Sequence, residues 1–369
     1  MPLVFDENRA EVAVRAVMLG MPMRQAARKW NIDRSYIRRR LNGIPTRKET
    51  NQHLQAVPIN LERRLANWAI GQARLGFAPS IVKLKIIAER MAQASGSPRS
   101  LGSQWHTRFL SRNEAVKSAR SLPLSYSRVN GATAVNINRF FDRLEAPELA
   151  AITPDRFFNI DEMGMAQGVG ADQFVITDAT LRQTFKKAVE KGEWITVLEC
   201  ISAEGEALPP LLIWKGTHVQ SQWFPDRNRG LFEDWRFSCL PNGWTSNEIA
   251  LKWLHHLFLP HVRCRFGNIW VVLVCDGHDS HTNDDFLWAC LSNKVWLLFY
   301  EPHCSHVQPL DVGVFGLLKK KLKNELNLTP AGRLGIKPSK KEMVLAYKVA
   351  REAVLGVKTI TNAWATAGI

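Results

Sequence analysis

The sequence predicts a multidomain chain in which an all-α N-terminal region of two tandem helical units is followed by an α/β domain. Charge segregation is one reason: residues 1–120 hold 22 Lys+Arg against 8 Asp+Glu, a net of +14, residues 121–311 carry −7 and residues 312–369 carry +8. A second is that apolar residues recur at helical spacing through the first 118 positions. A third is a pair of all-apolar runs, Ile269 to Cys275 and Val295 to Tyr300, flanking a helical stretch, the order that a parallel strand pair requires. With 369 residues, 46% of them hydrophobic, the chain can bury more than one core.

In the arm, Val12, Ala13, Ala16 and Val17 mark a helix from Glu7 to Leu19, stopped by Gly20. A short helix over Met23 to Trp30 presents Ala26, Ala27 and Trp30. Asp33 can then cap a third helix, Arg34 to Leu41, with Ile37 and Leu41 inward and Arg34, Ser35, Tyr36, Arg38 and Arg39 outward. Three short helices with polar groups opening the last have the form of a helix-turn-helix reading a major groove, so residues 1–44 are expected to bind DNA through those five residues and Arg40. After a linker at 45–57, Leu61, Leu65 and Trp68 mark one helix, and Ile81, Leu84, Ile87, Ala88 and Met91 a second. Leu101, Trp105 and Phe109 follow at four-residue spacing, with Arg99, His106, Arg108 and Arg112 alongside. Residues 58–118 thus read as a second DNA-binding unit. Basic helical bundles also bind RNA or proteins, but tandem units favour duplex DNA. If about 8 basic side chains neutralise phosphates, log K falls against log salt with a slope near −7.

A Ser/Arg-rich linker at 119–134 precedes an α/β domain over 135–330. Arg156 to Ile160 is a strand candidate ending at Asp161 and Glu162; further strands are expected at Ile195 to Ser202, Pro210 to Trp214, Ile269 to Cys275 and Val295 to Tyr300. Two strands that each end in an aspartate, Asp161 and Asp276, can bring the carboxylates to one sheet edge. Asp311, ahead of a helix over Val312 to Leu326, is a third candidate. Singly, each reads first as a turn or helix-cap aspartate. Together they call for a cation, because like charges raise one another's pKa, and two Mg²⁺ ions would serve phosphodiester chemistry. His278, His281, His303, Cys304 and His306 offer zinc as an alternative, though not at a standard finger spacing; otherwise the histidines contact phosphate or orient the metal ligands.

Other classes recede. No apolar run approaches the ~20 residues of a membrane helix. The N-terminus lacks a leader pattern, so an intracellular protein is expected. Six cysteines without a CxxC pair suit reduced, structural thiols. Residues 331–369 read as a basic helical tail.

Five stretches, Phe158 to Gly164, Glu193 to Val197, Leu208 to Leu211, Cys275 to His281 and Gln308 to Phe315, together resemble the pogo-like branch of the mariner-type DDE transposases, its fungal members especially. The arm is similar to that family's paired helix-turn-helix units. Leu101 to Trp105 and Arg108 to Arg112 match the second, of the type shared with centromere protein B. The resemblance implies an RNase H-like DDE catalytic domain in which Asp161, Asp276 and Asp311 hold two Mg²⁺ (or Mn²⁺) ions for cleavage and strand transfer of transposon ends. Glu162, His278, His281, His303 and His306 are then expected around the ligands. Double-stranded DNA is the implied partner, a homodimer is compatible, no membrane is involved, and the expected location is the nucleus. The alternative is a host-retained DNA-binding protein with the core as scaffold. Relatives usually continue beyond Ile369, so a truncated copy is expected.

Overall fold

The computed structural model describes residues 7–46, 50, 55–75, 77–97, 100–119, 134–166, 194–224, 230, 232–241, 245–277, 279–300, 307–334 and 336–369. The chain divides into two compact units, Met1–Leu65 with Ala88–Phe109, and Ala66–Ile87 with Leu110–Ile369.

The first unit opens with α1 (Glu7–Met18), α2 (Met23–Trp30) and α3 (Arg34–Leu41). Their core is Ala10, Ala13, Ala26, Ile32 and Ile37, with Val14, Val17, Trp30, Tyr36 and Leu41 packed around it. The buried stripe of α1 therefore runs 10, 13, 14, 17, and Val12, expected inside, is half exposed. Gly20 ends α1 at φ 98°, and Asn31 ends α2 in the left-handed region at φ 53°, which asparagine tolerates. The Asp33 carboxylate accepts the Ser35 N–H at 2.6 Å, as expected of a cap. The helices α4 (Ile59–Arg74), α5 (Ile81–Ala94) and α6 (Trp105–Arg112) follow. Leu84, Ile87, Ala88, Met91, Leu101, Trp105 and Phe109 are buried as read, whereas Ile81 is exposed.

The second unit holds a six-stranded mixed sheet of order β4-β3-β2-β1-β5-β6. Its strands are β1 (Phe157–Ala166), β2 (Trp194–Ser202), β3 (Leu211–Lys215), β4 (Arg236–Leu240), β5 (Val271–Cys275) and β6 (Val295–Phe299). β2 runs antiparallel to β1 and β3, while β1, β5 and β6 are parallel, the last pair as the sequence predicts. The all-helical region followed by a mixed α/β sheet is the predicted fold class. β5 and β6 are buried at every position, which is why their sequences are apolar throughout.

Helices cover the sheet: α7 (Ala134–Leu144), α8 (Asn247–Trp253), a π-helical turn at Leu254–Phe258, α9 (Leu259–Phe266), α10 (Asp279–Thr282) and α11 (Asp284–Ser292). A second π-helical turn, Leu310–Phe315, leads into α12 (Gly316–Leu328), α13 (Pro330–Leu334), α14 (Lys340–Val354) and α15 (Val357–Ala367). The tail expected at 331–369 is thus packed into this unit, with Tyr347, Ile360 and Trp364 buried.

The division into units departs from the boundary expected near residue 118, and the edge strand β6 explains why. Gln72 on α4 donates to the Leu297 carbonyl and accepts the Leu297 N–H, both at 3.4 Å, so its amide pairs with the open edge as a neighbouring strand would. A Cβ on Gly71 would fall 2.5 Å from the Trp296 ring, so only glycine admits that approach. Residues 66–87 are thereby held to the sheet. Among the cysteines, Cys200, Cys275 and Cys290 are buried and unpaired as expected, but Cys264 is exposed; Cys304 lies outside the described residues.

Candidate active site

The β1–β5 register sets the geometry. The parallel pairing matches Asn159 with Val274, its last matched pair, so Asp161, still within β1, and Asp276, the first residue past β5, each lie two residues beyond it. Asp161 is not at a strand end, as the sequence suggested: β1 continues to Ala166 because nine residues pair with β2. Strand alternation keeps Asn159 and Asp161 on one face and sends Glu162 to the other, so Glu162 is not aimed at the site its neighbour enters.

Asp311 arrives from the second π-helical turn. Burial, followed by the nearby negative charge of Asp311 and then of Asp276, pushes the Asp161 carboxyl well above the ordinary aspartate range. The Glu162 backbone N–H opposes the rise. So does the Gln308 side chain, although its amide nitrogen stands outside hydrogen-bond geometry. Burial and both neighbouring aspartates thus act in the same direction on Asp161. Glu199 faces Asp161 across the β1–β2 ladder but is not a fourth member, because its buried carboxylate is held by Tyr347 Oη and by Arg351 at 2.8 and 3.0 Å.

His281 is 3% exposed and sets its Nδ1 3.1 Å from Asp276 Oδ1, which fits the orienting role expected of it. Its buried Nε2 has no hydrogen-bond partner among the described residues. His278, His303, Cys304 and His306 lie outside the described residues, and with them most of the zinc alternative. The sequence reading missed Tyr300. Its buried hydroxyl has no hydrogen-bond partner among the described residues, and burial together with the charges of Asp161 and Asp311 raises its pKa well above the usual phenol range. Nothing in the apolar run it ends announces that burial.

Carboxylates such as Asp161, Asp276 and Asp311 are the hard oxygen donors that Mg²⁺ takes. Among the described residues, no group of three or more His, Cys, Asp or Glu is already gathered closely enough to hold an ion. The fit therefore rests on the donor chemistry of the carboxylates and on the pairing that brings the segments bearing Asp161 and Asp276 side by side.

In the arm, Arg34, Ser35, Arg38 and Arg39 are exposed along α3. Two residues expected beside them are not on that face. Tyr36 packs against the three-helix core, and Arg40 turns back to donate to the Ile44 carbonyl at 3.1 Å, closing the end of its own helix. On α6, Arg108 is exposed and Arg112 half-buried, while the His106 ring nitrogens lie 3.1 Å from the Ser103 carbonyl and 3.3 Å from Thr107 Oγ1. Arg99 is outside the described residues.

Residues 191–364 match the model of the DDE superfamily endonuclease family. The matched span includes Asp276 and Asp311, and β1 adds Asp161 to it in space. Among similar proteins, one named MFS-type transporter clz9, from Cochliobolus lunatus, is 25% identical over 350 residues, covering 94% of this chain and 34% of its own length. The human protein named Pogo transposable element with ZNF domain is 23% identical over 310 residues, covering 82% of this chain and 20% of its own. The chain thus spans between a fifth and a third of these two relatives. Among solved structures, the Mos1 strand transfer complex aligns over 99% of this chain and 95% of its own with 11% identity and a TM-score of 0.43, below the level at which a common fold follows. Among the described residues, no helix is long and apolar enough to cross a membrane.

Proposed function

We propose that this chain is a metal-dependent DNA transposase, whose basic helical region binds duplex DNA and whose three aspartates serve phosphodiester cleavage and strand transfer. The observation that carries the reading is that the β1–β5 pairing ends two residues before both Asp161 and Asp276, while Asn159 on β1 accepts the N–H of Leu310, the residue before Asp311. The relative named for the pogo element supports the same class.

In this reading Asp161, Asp276 and Asp311 hold two Mg²⁺ or Mn²⁺ ions. When bound, such ions supply activation of the attacking oxygen and stabilisation of the leaving oxygen. The chain's own residues do the positioning: His281 fixes the rotamer of Asp276 through its Nδ1, and the buried Tyr300 hydroxyl shields one side of the carboxylate space. Arg34, Ser35, Arg38 and Arg39 on α3, acting as a helix-turn-helix, contact base edges and phosphates, and Arg108 on α6 adds a phosphate contact. Transposon ends and target DNA are the substrates, two copies act on paired ends, and the protein works in the nucleus.

The test is a mobility-shift and cleavage assay on duplexes carrying the element's terminal inverted repeats. The full chain is expected to bind and, with Mg²⁺, to cut; Asp276→Asn should bind equally and lose cleavage. An Asp276→Asn protein that cuts as fast as the parent overturns the assignment. Binding by the parent with no metal-dependent cutting leaves the host-retained binder instead.

A further inference from the structure

The strand that delivers Asp161 contains a polar residue where an apolar one would be ordinary. Asn159 is fully buried between Phe158 and Ile160, also buried, and lies at the last matched pair of the β1–β5 ladder. Its Nδ2 donates to the Val274 carbonyl at 3.1 Å and, more weakly, to the Ile160 carbonyl at 3.4 Å. Its Oδ1 accepts the Leu310 N–H at 3.1 Å. Both main partners are main-chain groups of fixed polarity, so the amide can face only one way.

These partners sit at informative places. Asn159 is two residues before Asp161, Val274 two before Asp276, and Leu310 one before Asp311. One side chain therefore ties together the three segments that bear the carboxylates, at the point where the ladder between two of them stops. A buried amide satisfied at both ends specifies a single arrangement of the groups it joins, and the three aspartates repel one another and would otherwise drift apart.

We propose that Asn159 is a positioning residue that holds Asp161, Asp276 and Asp311 in one register for a shared divalent cation. This rests on the metal-dependent reading above. Leucine at this position would fill the space but leave the Val274 carbonyl and the Leu310 amide without their partner, and Asn159→Asp would keep the acceptor for Leu310 while losing the donor to Val274.

Mn²⁺ titration of the full chain by calorimetry tests it without relying on turnover. Asn159→Ala and Asn159→Asp are expected to weaken Mn²⁺ binding about tenfold or more while DNA binding stays at the parent level. Ile249→Ala, an ordinary truncation in the buried face of α8, should lower the melting temperature and leave Mn²⁺ affinity unchanged. Parent-like Mn²⁺ affinity in either folded Asn159 variant overturns the proposal. So does fast hydrogen exchange at the Leu310 amide of the unmodified chain, which needs no variant to fold. Failure of the underlying reading looks different: Asp276→Asn would then bind Mn²⁺ as the parent does.

Discussion

Gly313→Ala is a one-carbon change two residues beyond Asp311, and the structure gives it a sign and a size. In a helix, alanine in place of glycine ordinarily gains about 1 kcal/mol. Here a Cβ would lie 2.3 Å from Ala363 Cβ and 2.6 Å from Ala363 Cα, both on α15. Those atoms belong to a backbone and its first carbon, so no rotamer change relieves the contact. Restoring ordinary separation requires the π-helical turn and α15 to part by about 1 Å, and overpacking of that kind costs about 1–3 kcal/mol. The net effect is expected to be destabilising by about 1–2 kcal/mol once the propensity gain is subtracted. The same displacement moves Asp311, and a misplacement of about 1 Å in a reacting constellation costs on the order of 100-fold in rate. Urea unfolding together with single-turnover cleavage would measure both. Adding Ala363→Gly should recover part of each loss, because it removes the Cβ but leaves the Cα. A Gly313→Ala protein as stable and as active as the parent would refute the claim that α15 sets the position of Asp311.

Three further expectations follow from individual contacts. The folded Asp161 carboxyl has a pKa above its reference of 3.8, so the folded chain retains a proton that the unfolded chain has lost; stability of the metal-free protein should fall as pH rises from 3.8 through the folded value. Asp161→Asn should flatten that slope and raise the melting temperature in EDTA near neutral pH, by about 2–4 °C for each kcal/mol recovered, while abolishing cleavage; equal slopes in the two proteins would count against the buried, repelled carboxyl. Arg351→Ala, which strands the buried Glu199 charge, should cost about 3–5 kcal/mol in urea unfolding, most of it recovered in Glu199→Leu/Arg351→Met; a loss under 1 kcal/mol would mean that the pair is not buried as described. DNA affinity measured between 50 and 200 mM salt should fall with a log–log slope of about −7, and a flat response would remove the electrostatic arm.

The sequence announced the central strands because β5 and β6 are apolar at every position, a pattern that burial on both faces demands. It also announced the Asp33 cap and the burial of Ile37. β1 was read too short because Asp161, Glu162 and Gly164 lower strand propensity, and pairing with β2 carries the strand through them regardless. β4 was missed altogether: Arg236 to Leu240 mixes charge, hydroxyl and aromatic residues, as an edge strand can. The three aspartates were legible as residue types at strand and helix boundaries, but the pairing that brings two of their segments side by side depends on a parallel register that no local pattern encodes. Asn159 carried a signal, an amide inside an apolar strand, that gains meaning only once its partners are known. Gln72 was hidden for the same reason: an exposed-looking helical glutamine acquires its role from an edge strand 225 residues away.

The central claim is that Asp161, Asp276 and Asp311 share a cation, and anomalous diffraction from a crystal grown with Mn²⁺ tests it most directly. The account predicts anomalous density at roughly 2.0–2.3 Å from carboxylate oxygens of all three, the range of hard-cation coordination. Density bound to one of them alone, or placed elsewhere in the domain with these three left apart, would contradict it.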